Sequence, residues 1–392
     1  MKLTYKNTIT SCFVAYIVQA VIINFIPMLF VTLQNSYDIS LSEITLLVTI
    51  NFIVQLLVDF LSAFFVDKIG YRTAMVLAHA FSAAGLIFMT ILPEILPSPY
   101  IGLFIAVIVY AIGGGLLEVL INPIMESCPT DNKEKAMSML HSFYSWGYVG
   151  VVLLSTVFFR LAGIENWKIL AWIWALIPIV NGIVFLKTPI APLISEGERE
   201  MSMKELFVNK VFWYLVVIMI CAGACEHSIC QWASTFAERD LGISKTLGDL
   251  VGPMTFAVLM GVSRVFYGKF GDKINLDVYM CFSGILCVIA YLMISLSPVP
   301  IIGVIGCALC GLSVGIMWPG SISKAAVLLR NGGTAMFALL ALAGDVGCSA
   351  GPTLVGMVSS AFDDNLKIGI MVGIVFPIVM VISLLPKRQT KK

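Results

Sequence analysis

The sequence predicts an all-α membrane protein: twelve transmembrane helices in two six-helix pseudo-repeats, with both termini in the cytoplasm. Three observations carry this. Of 392 residues, 59% are hydrophobic and only 12% charged, against about 25% charged in an ordinary soluble domain; mean hydropathy is +0.97. The apolar residues fall in runs long enough to cross a bilayer, which takes about 20 residues. The two halves of the chain also repeat the same landmarks. The 24 basic and 23 acidic residues nearly cancel, so nothing draws the chain toward nucleic acid. The absence of a G-x-x-x-x-G-K-[ST] run argues against an ATP-driven pump, and without HExxH or a nucleophile elbow an enzyme is not expected. No metal or cofactor is implied. The expected partners are the lipid bilayer, a small solute, and a proton or sodium ion, with the chain as a monomer.

Taken in order, and broken at charges and Pro/Gly clusters, the spans are 8–34, 43–66, 72–93, 100–126, 137–159, 167–187, 211–236, 248–270, 277–296, 300–322, 334–360 and 367–386. The first follows Lys2 and Lys6 and lacks a small-residue cleavage site, so it reads as a helix rather than a signal peptide. With the N-terminus inside, 18 of the 24 basic residues fall on the cytoplasmic side and 5 outside, the asymmetry that orients membrane helices. Residues 188–210 form the longest interior loop. It divides the chain into an N-terminal bundle (1–187), a cytoplasmic linker (188–210) and a C-terminal bundle (211–392). The ten cysteines lie in apolar or cytoplasmic segments, so no disulfide is expected. Cys307 and Cys310 sit at helical spacing, for which helix packing is a simpler reading than metal binding.

The repeat is visible in the loops. Asp67-Lys68-Ile69-Gly70-Tyr71-Arg72 follows span 2, and Gly268-Lys269-Phe270-Gly271-Asp272-Lys273 follows span 8. Pro97-Ser98-Pro99 precedes span 4 as Ser297-Pro298-Val299-Pro300 precedes span 10, and each of these spans carries a proline near its inner end, Pro123 and Pro319. A doubled six-helix unit with its axis along the membrane normal is the arrangement of major facilitator transporters, and these loops resemble that superfamily's signature loop, apart from Ala63 at the leading glycine. An Asp there can meet basic residues or a neighbouring helix N-terminus. Such contacts would latch one conformation, so Asp67, Arg72 and Asp272 are gating candidates. Solvated positive-inside loops are the plainer alternative.

Five ionisable residues lie within the spans: Asp59, Glu118, Glu226, Arg264 and Asp345. Each costs on the order of 2.5–3.5 kcal/mol on insertion scales, so each is a functional candidate. Gly114, Glu118 and Asn122 recur every four residues and share one face of span 4, followed by Pro123, which loosens the local ladder. A carboxyl there, away from water, is suited to exchanging a proton, so Glu118 is the first candidate for proton coupling. Asn51, Gln55 and Asp59 form a similar stripe on span 2. Asp59 is the second coupling candidate; with Glu118 and amide oxygens it also fits sodium. Glu226, Gln231 and Trp232 on span 7 suit a sugar's hydroxyl rim and apolar face, although Trp232 alone also fits an interface anchor. His141 and Tyr144 share a face of span 5. Gln19 and Asn24 on span 1 complete the solute-binding candidates. Arg264 and Asp345 join the gating set, and His79 and His227 read as packed histidines.

The run Gly113-Gly114-Gly115-Leu116-Leu117-Glu118-Val119-Leu120-Ile121-Asn122-Pro123 resembles the fourth helix of fucose permease and its sugar–proton symporter relatives, which carry L-E-x-x-x-N-P. The polar-aromatic start of span 5, Gly223 to Trp232 on span 7, Pro319, and Gly344, Gly351-Pro352 and Gly356 on span 11 extend the similarity. The resemblance implies a plasma-membrane symporter moving a small hydrophilic solute, a sugar or sugar-like metabolite, with a proton. It places Glu118 on the protonated acid, and His141 and Tyr144 on solute contacts. The sequence departs where Ile23 and Asn24, with no acid, precede Pro27, and where Asp59 and Asp345 are added. A sodium-coupled symporter and a drug or metabolite exporter working by antiport are the alternatives within transport. A membrane sensor or scaffold is the alternative outside it.

Overall fold

A computed structural model describes residues 3–193, 199–241, 248, 250–363 and 365–385. Lys2, Lys245, Lys387, Arg388, Lys391 and Lys392, the side chain of Arg239 and linker residues 194–198 lie outside the described residues. Among those described, all regular structure is helical: α1 (Tyr5–Met28), α2 (Phe30–Tyr37), α3 (Leu41–Ile69), α4 (Tyr71–Ile95), α5 (Pro99–Ser127), α6 (Lys133–Ala162), α7 (Trp167–Phe185), α8 (Met203–Val208), α9 (Lys210–Cys230), α10 (Ala233–Leu241), α11 (Thr255–Phe270), α12 (Leu276–Leu296), α13 (Pro300–Val314), α14 (Met317–Leu328), α15 (Gly333–Ala361), α16 (Leu366–Gly373) and α17 (Val375–Leu384). Eleven helical stretches among the described residues are long and apolar enough to cross a membrane. They match every predicted span but the eighth. That place is held by α11, with 16 residues, entered through a π-helical turn at Leu250–Met254 that contains Pro253.

Helix ends follow local chemistry. Pro27 lacks an N–H, and α1 stops one residue later. Ser40 and Glu43 form a capping box at the start of α3. Gly70 separates α3 from α4 at φ +81°, a conformation that glycine adopts without strain. Pro99 and Pro300 open α5 and α13 at the first turn.

The chain forms two compact units. One comprises residues 1–131, 143–200 and 331–339; the other comprises 132–142, 201–330 and 340–392. In the first, α5 packs along α4 and against α3 and α1, where Gly85 and Gly113 let backbones approach. α3 shows the inversion expected of a membrane helix. Its polar Asn51, Gln55 and Asp59 are buried, while Leu57, Leu61 and Phe64 are about half exposed (55%, 52% and 46%). In the second unit, α12 packs on α13 and α17, and α11 on α13, around Phe236, Phe256, Tyr267, Met280 and Tyr291. Cys310 faces Cys287, Sγ to Sγ 4.0 Å, rather than Cys307.

Candidate functional site

The first unit holds a polar seam where α1, α3 and α5 meet. Gly115 lies against Val58 and the backbone of Gln55, so the two helices approach closely there. Gln19 of α1 fills the resulting niche at 2% exposure. Its Nε2 donates to Gln55 Oε1 (3.1 Å) and to Glu118 Oε2 (3.1 Å). The half-buried Glu118 is thus held by an amide that donates to its carboxylate. One turn on, Tyr16 donates from its hydroxyl to Asn122 Oδ1 (3.0 Å), and Asn122 Nδ2 donates to the Glu118 backbone carbonyl (3.3 Å). Tyr144 meets Tyr16 edge to face at 6.3 Å. Gln19, Glu118, Asn122 and Tyr144 therefore come together. Asp59, at 0% exposure, follows Gln55 by one turn on the same face of α3. Asn24 Nδ2 donates to the Ala20 carbonyl one turn back on its own helix (2.8 Å). Tyr16 was missed in the sequence, although it stands three residues before Gln19 and shares its face.

The second unit is organised by Arg264, 2% exposed. Its Nη2 meets Glu226 Oε2 (3.3 Å), its Nη1 donates to the His141 carbonyl (3.1 Å), and its Nε donates to the Gly315 carbonyl (3.0 Å). That last acceptor has a covalent cause. Gly315 stands four residues before Pro319, which has no N–H to return, so the helix breaks between α13 and α14 and its carbonyl is left to the guanidinium. Ser138 donates to the Arg264 backbone carbonyl (2.8 Å), fixing the start of α6 to α11. Trp232 donates from Nε1 to the Pro352 carbonyl (3.1 Å) and lies against Gly356, joining α15 to the end of α9. Gln231 is exposed. Asp345 is half-buried on α15, next to Gly344, which accommodates the ring of Trp318.

The signature loops meet the starts of two long helices. Asp67 Oδ1 accepts from Thr334 Oγ1 (2.5 Å) at the start of α15, and Tyr71 also bonds to Thr334. Asp272 accepts from Asn132 Nδ2 (3.0 Å) and pairs with Lys135 at the start of α6. The Lys135 ammonium bonded to it, with Asn132, holds the Asp272 carboxyl below the usual carboxylate range. Asn132 Oδ1 also accepts from the Lys135 amide (3.0 Å), as an N-cap does. Arg72 instead closes the end of α7, donating to the carbonyls of Phe185 (2.9 Å) and Leu186 (2.8 Å). Glu200 lies beside Gly333, and burial, then the Asp67 charge, raises its carboxyl above the usual range.

The family model described as "Major Facilitator Superfamily" matches residues 9–352. A comparison with curated proteins finds no match. Solved structures of the same fold include the E. coli fucose:proton symporter, at 14% identity and TM-score 0.82, covering 97% of this chain and 98% of that one. A proton:xylose symporter bound to 6-bromo-6-deoxy-D-glucose, at 12% identity and TM-score 0.82, covers 97% of this chain and 94% of its own. The human organic anion transporter MFSD10, at 13% identity and TM-score 0.78, covers 97% and 99%. At such identities the likeness speaks for the fold.

Proposed function

Since this chain belongs to the major facilitator superfamily, and is therefore a multi-pass membrane transporter rather than an enzyme, we propose that it is a secondary active symporter of the plasma membrane, moving a sugar or sugar-like solute with a proton by alternating access. The observation that carries this reading is Glu118, a carboxyl within a membrane helix whose Oε2 accepts from the buried amide of Gln19 (3.1 Å). An acid in that setting is expensive to keep charged, and taking up a proton removes the cost. Glu118 is the coupling acid, with Asp59 on the neighbouring helix as a second proton carrier. Asn122, His141, Tyr144, Glu226, Gln231, Trp232, Gln19 and Asn24 are the solute-binding set. Hydroxyl and amide groups beside aromatic rings match a polyhydroxylated solute. Asp67, Arg72, Asp272, Arg264 and Asp345 govern the conformational change. Both termini lie in the cytoplasm, and residues 188–210 link two six-helix bundles. The fucose and xylose symporters of the same fold support a sugar as cargo.

The test is uptake by vesicles reconstituted with the purified chain, using a panel of radiolabelled sugars under an imposed pH gradient, with and without sodium. An inward proton gradient should drive uphill accumulation of at least one sugar. Glu118→Gln should abolish accumulation and spare exchange down a gradient. Accumulation that follows sodium alone would move the coupling to that ion, and undiminished uphill uptake in Glu118→Gln would reject the role of Glu118.

A further inference from the structure

Two glutamine amides in the first unit are half used. Gln19 Nε2 carries two hydrogens, and both are committed, one to Gln55 Oε1 and one to Glu118 Oε2. Gln19 Oε1 and Gln55 Nε2 have no hydrogen-bond partner, although these side chains are only 2% and 1% exposed. Buried amide groups are rarely left so. The orientation follows from the acid. An ionised carboxylate only accepts, so Gln19 must face it with NH2, and Gln55 must face that NH2 with its oxygen. Glu118 protonated on Oε2, the oxygen that Gln19 meets, has a hydrogen to give there. Gln19 then meets it with Oε1, the same oxygen accepts from Gln55 Nε2, and both amides have turned over. Each of these arrangements makes both contacts, whereas a mixed one sets two donors or two acceptors face to face. Gly114 provides the room to turn: a Cβ there would lie 3.3 Å from Gln19 Oε1 and 3.4 Å from Gln55 Cδ.

We propose that Gln19 and Gln55 are positioning residues forming a two-amide relay. Protonation of Glu118 turns Gln19, Gln19 turns Gln55, and the event reaches α3, one turn from Asn51 and Asp59, as an exchange of a donor for an acceptor. The proposal rests on reading Glu118 as the proton acceptor.

Infrared difference spectra of the purified full chain, acidic minus alkaline, with side-chain 13C-labelled glutamine, test it. The chain has few glutamines (Gln19, Gln34, Gln55, Gln231 and Gln389), so the label is selective. A carboxyl band that disappears in Glu118→Gln should be accompanied by label-sensitive glutamine amide bands that disappear with it. Gln19→Leu should keep the carboxyl band and lose the amide bands, those of Gln55 included. Should Gln19→Leu not fold, Gly114→Ala keeps every polar group and crowds both amides. It should delay the glutamine bands behind the carboxyl band after a pH jump. Glutamine bands absent from the wild type, persisting in Gln19→Leu, or appearing without delay in Gly114→Ala would overturn the relay and leave the coupling role of Glu118 standing. A carboxyl band insensitive to Glu118→Gln would remove both.

Discussion

Arg264 shows how a membrane interior tolerates a guanidinium: its three nitrogens bond to Gly315, His141 and Glu226. Removing one member of a buried ion pair costs about 3–5 kcal/mol, because the other charge stays behind. Arg264→Ala should therefore lower the melting temperature in detergent sharply, stranding Glu226 and returning the Gly315 carbonyl to its unbonded state. Arg264→Lys should recover part of the loss, since one ammonium can hold the charge of Glu226 without reproducing the fork. A melting temperature unchanged in Arg264→Ala would contradict the hub. Much at this scale was legible. Glu118, Asp59, Glu226 and Arg264 stand out because ionisable groups are costly in lipid. The partnership of Arg264 with Gly315 was hidden, although Pro319 marks that carbonyl as lacking its usual donor. Identity alone also does not say that the His141 backbone carbonyl would accept from Arg264.

Among the elements, α6 and α15 each begin beside a signature-loop aspartate. Asp272→Asn should weaken the contacts to Lys135 and Asn132 and speed amide hydrogen exchange over residues 133–142. The pH dependence follows from the sign of the shift. The folded carboxyl is held low, so its stabilising contribution is present above the unfolded value and is lost as pH falls through the lowered folded value. Protection of this segment in the wild type should persist through the ordinary carboxylate range and fail only below it. Glu200 has the opposite sign. Its carboxyl is raised by burial and Asp67, so the folded state holds the proton longer, and stability declines as pH rises from the unfolded value through the raised one. Glu200→Gln should flatten that decline in thermal melts, and an unchanged slope would count against it. The two Asp–Lys loops were legible as a repeat. Their partners were not, since Thr334 lies 267 residues from Asp67 and Asn132 lies 140 from Asp272, and no periodicity reports such distances.

For the whole molecule, composition settled the class: with 12% charged residues the chain has too little polar surface for a water-soluble protein of this length. Eleven of twelve predicted spans appear as helical stretches long and apolar enough to cross a membrane among the described residues. At the eighth, the described residues show the 16-residue α11 preceded by a π-helical turn at Leu250–Met254. The functional claim at this scale is that solute and proton cross together, with Glu118 carrying the proton. The most direct measurement is proton movement itself, followed with a trapped pH dye in weakly buffered vesicles when a transported sugar is added outside. Wild-type protein should acidify the lumen as the sugar enters, and Glu118→Gln should exchange the sugar with no change in dye signal. Sugar entry without acidification in the wild type, or acidification undiminished in Glu118→Gln, would contradict it.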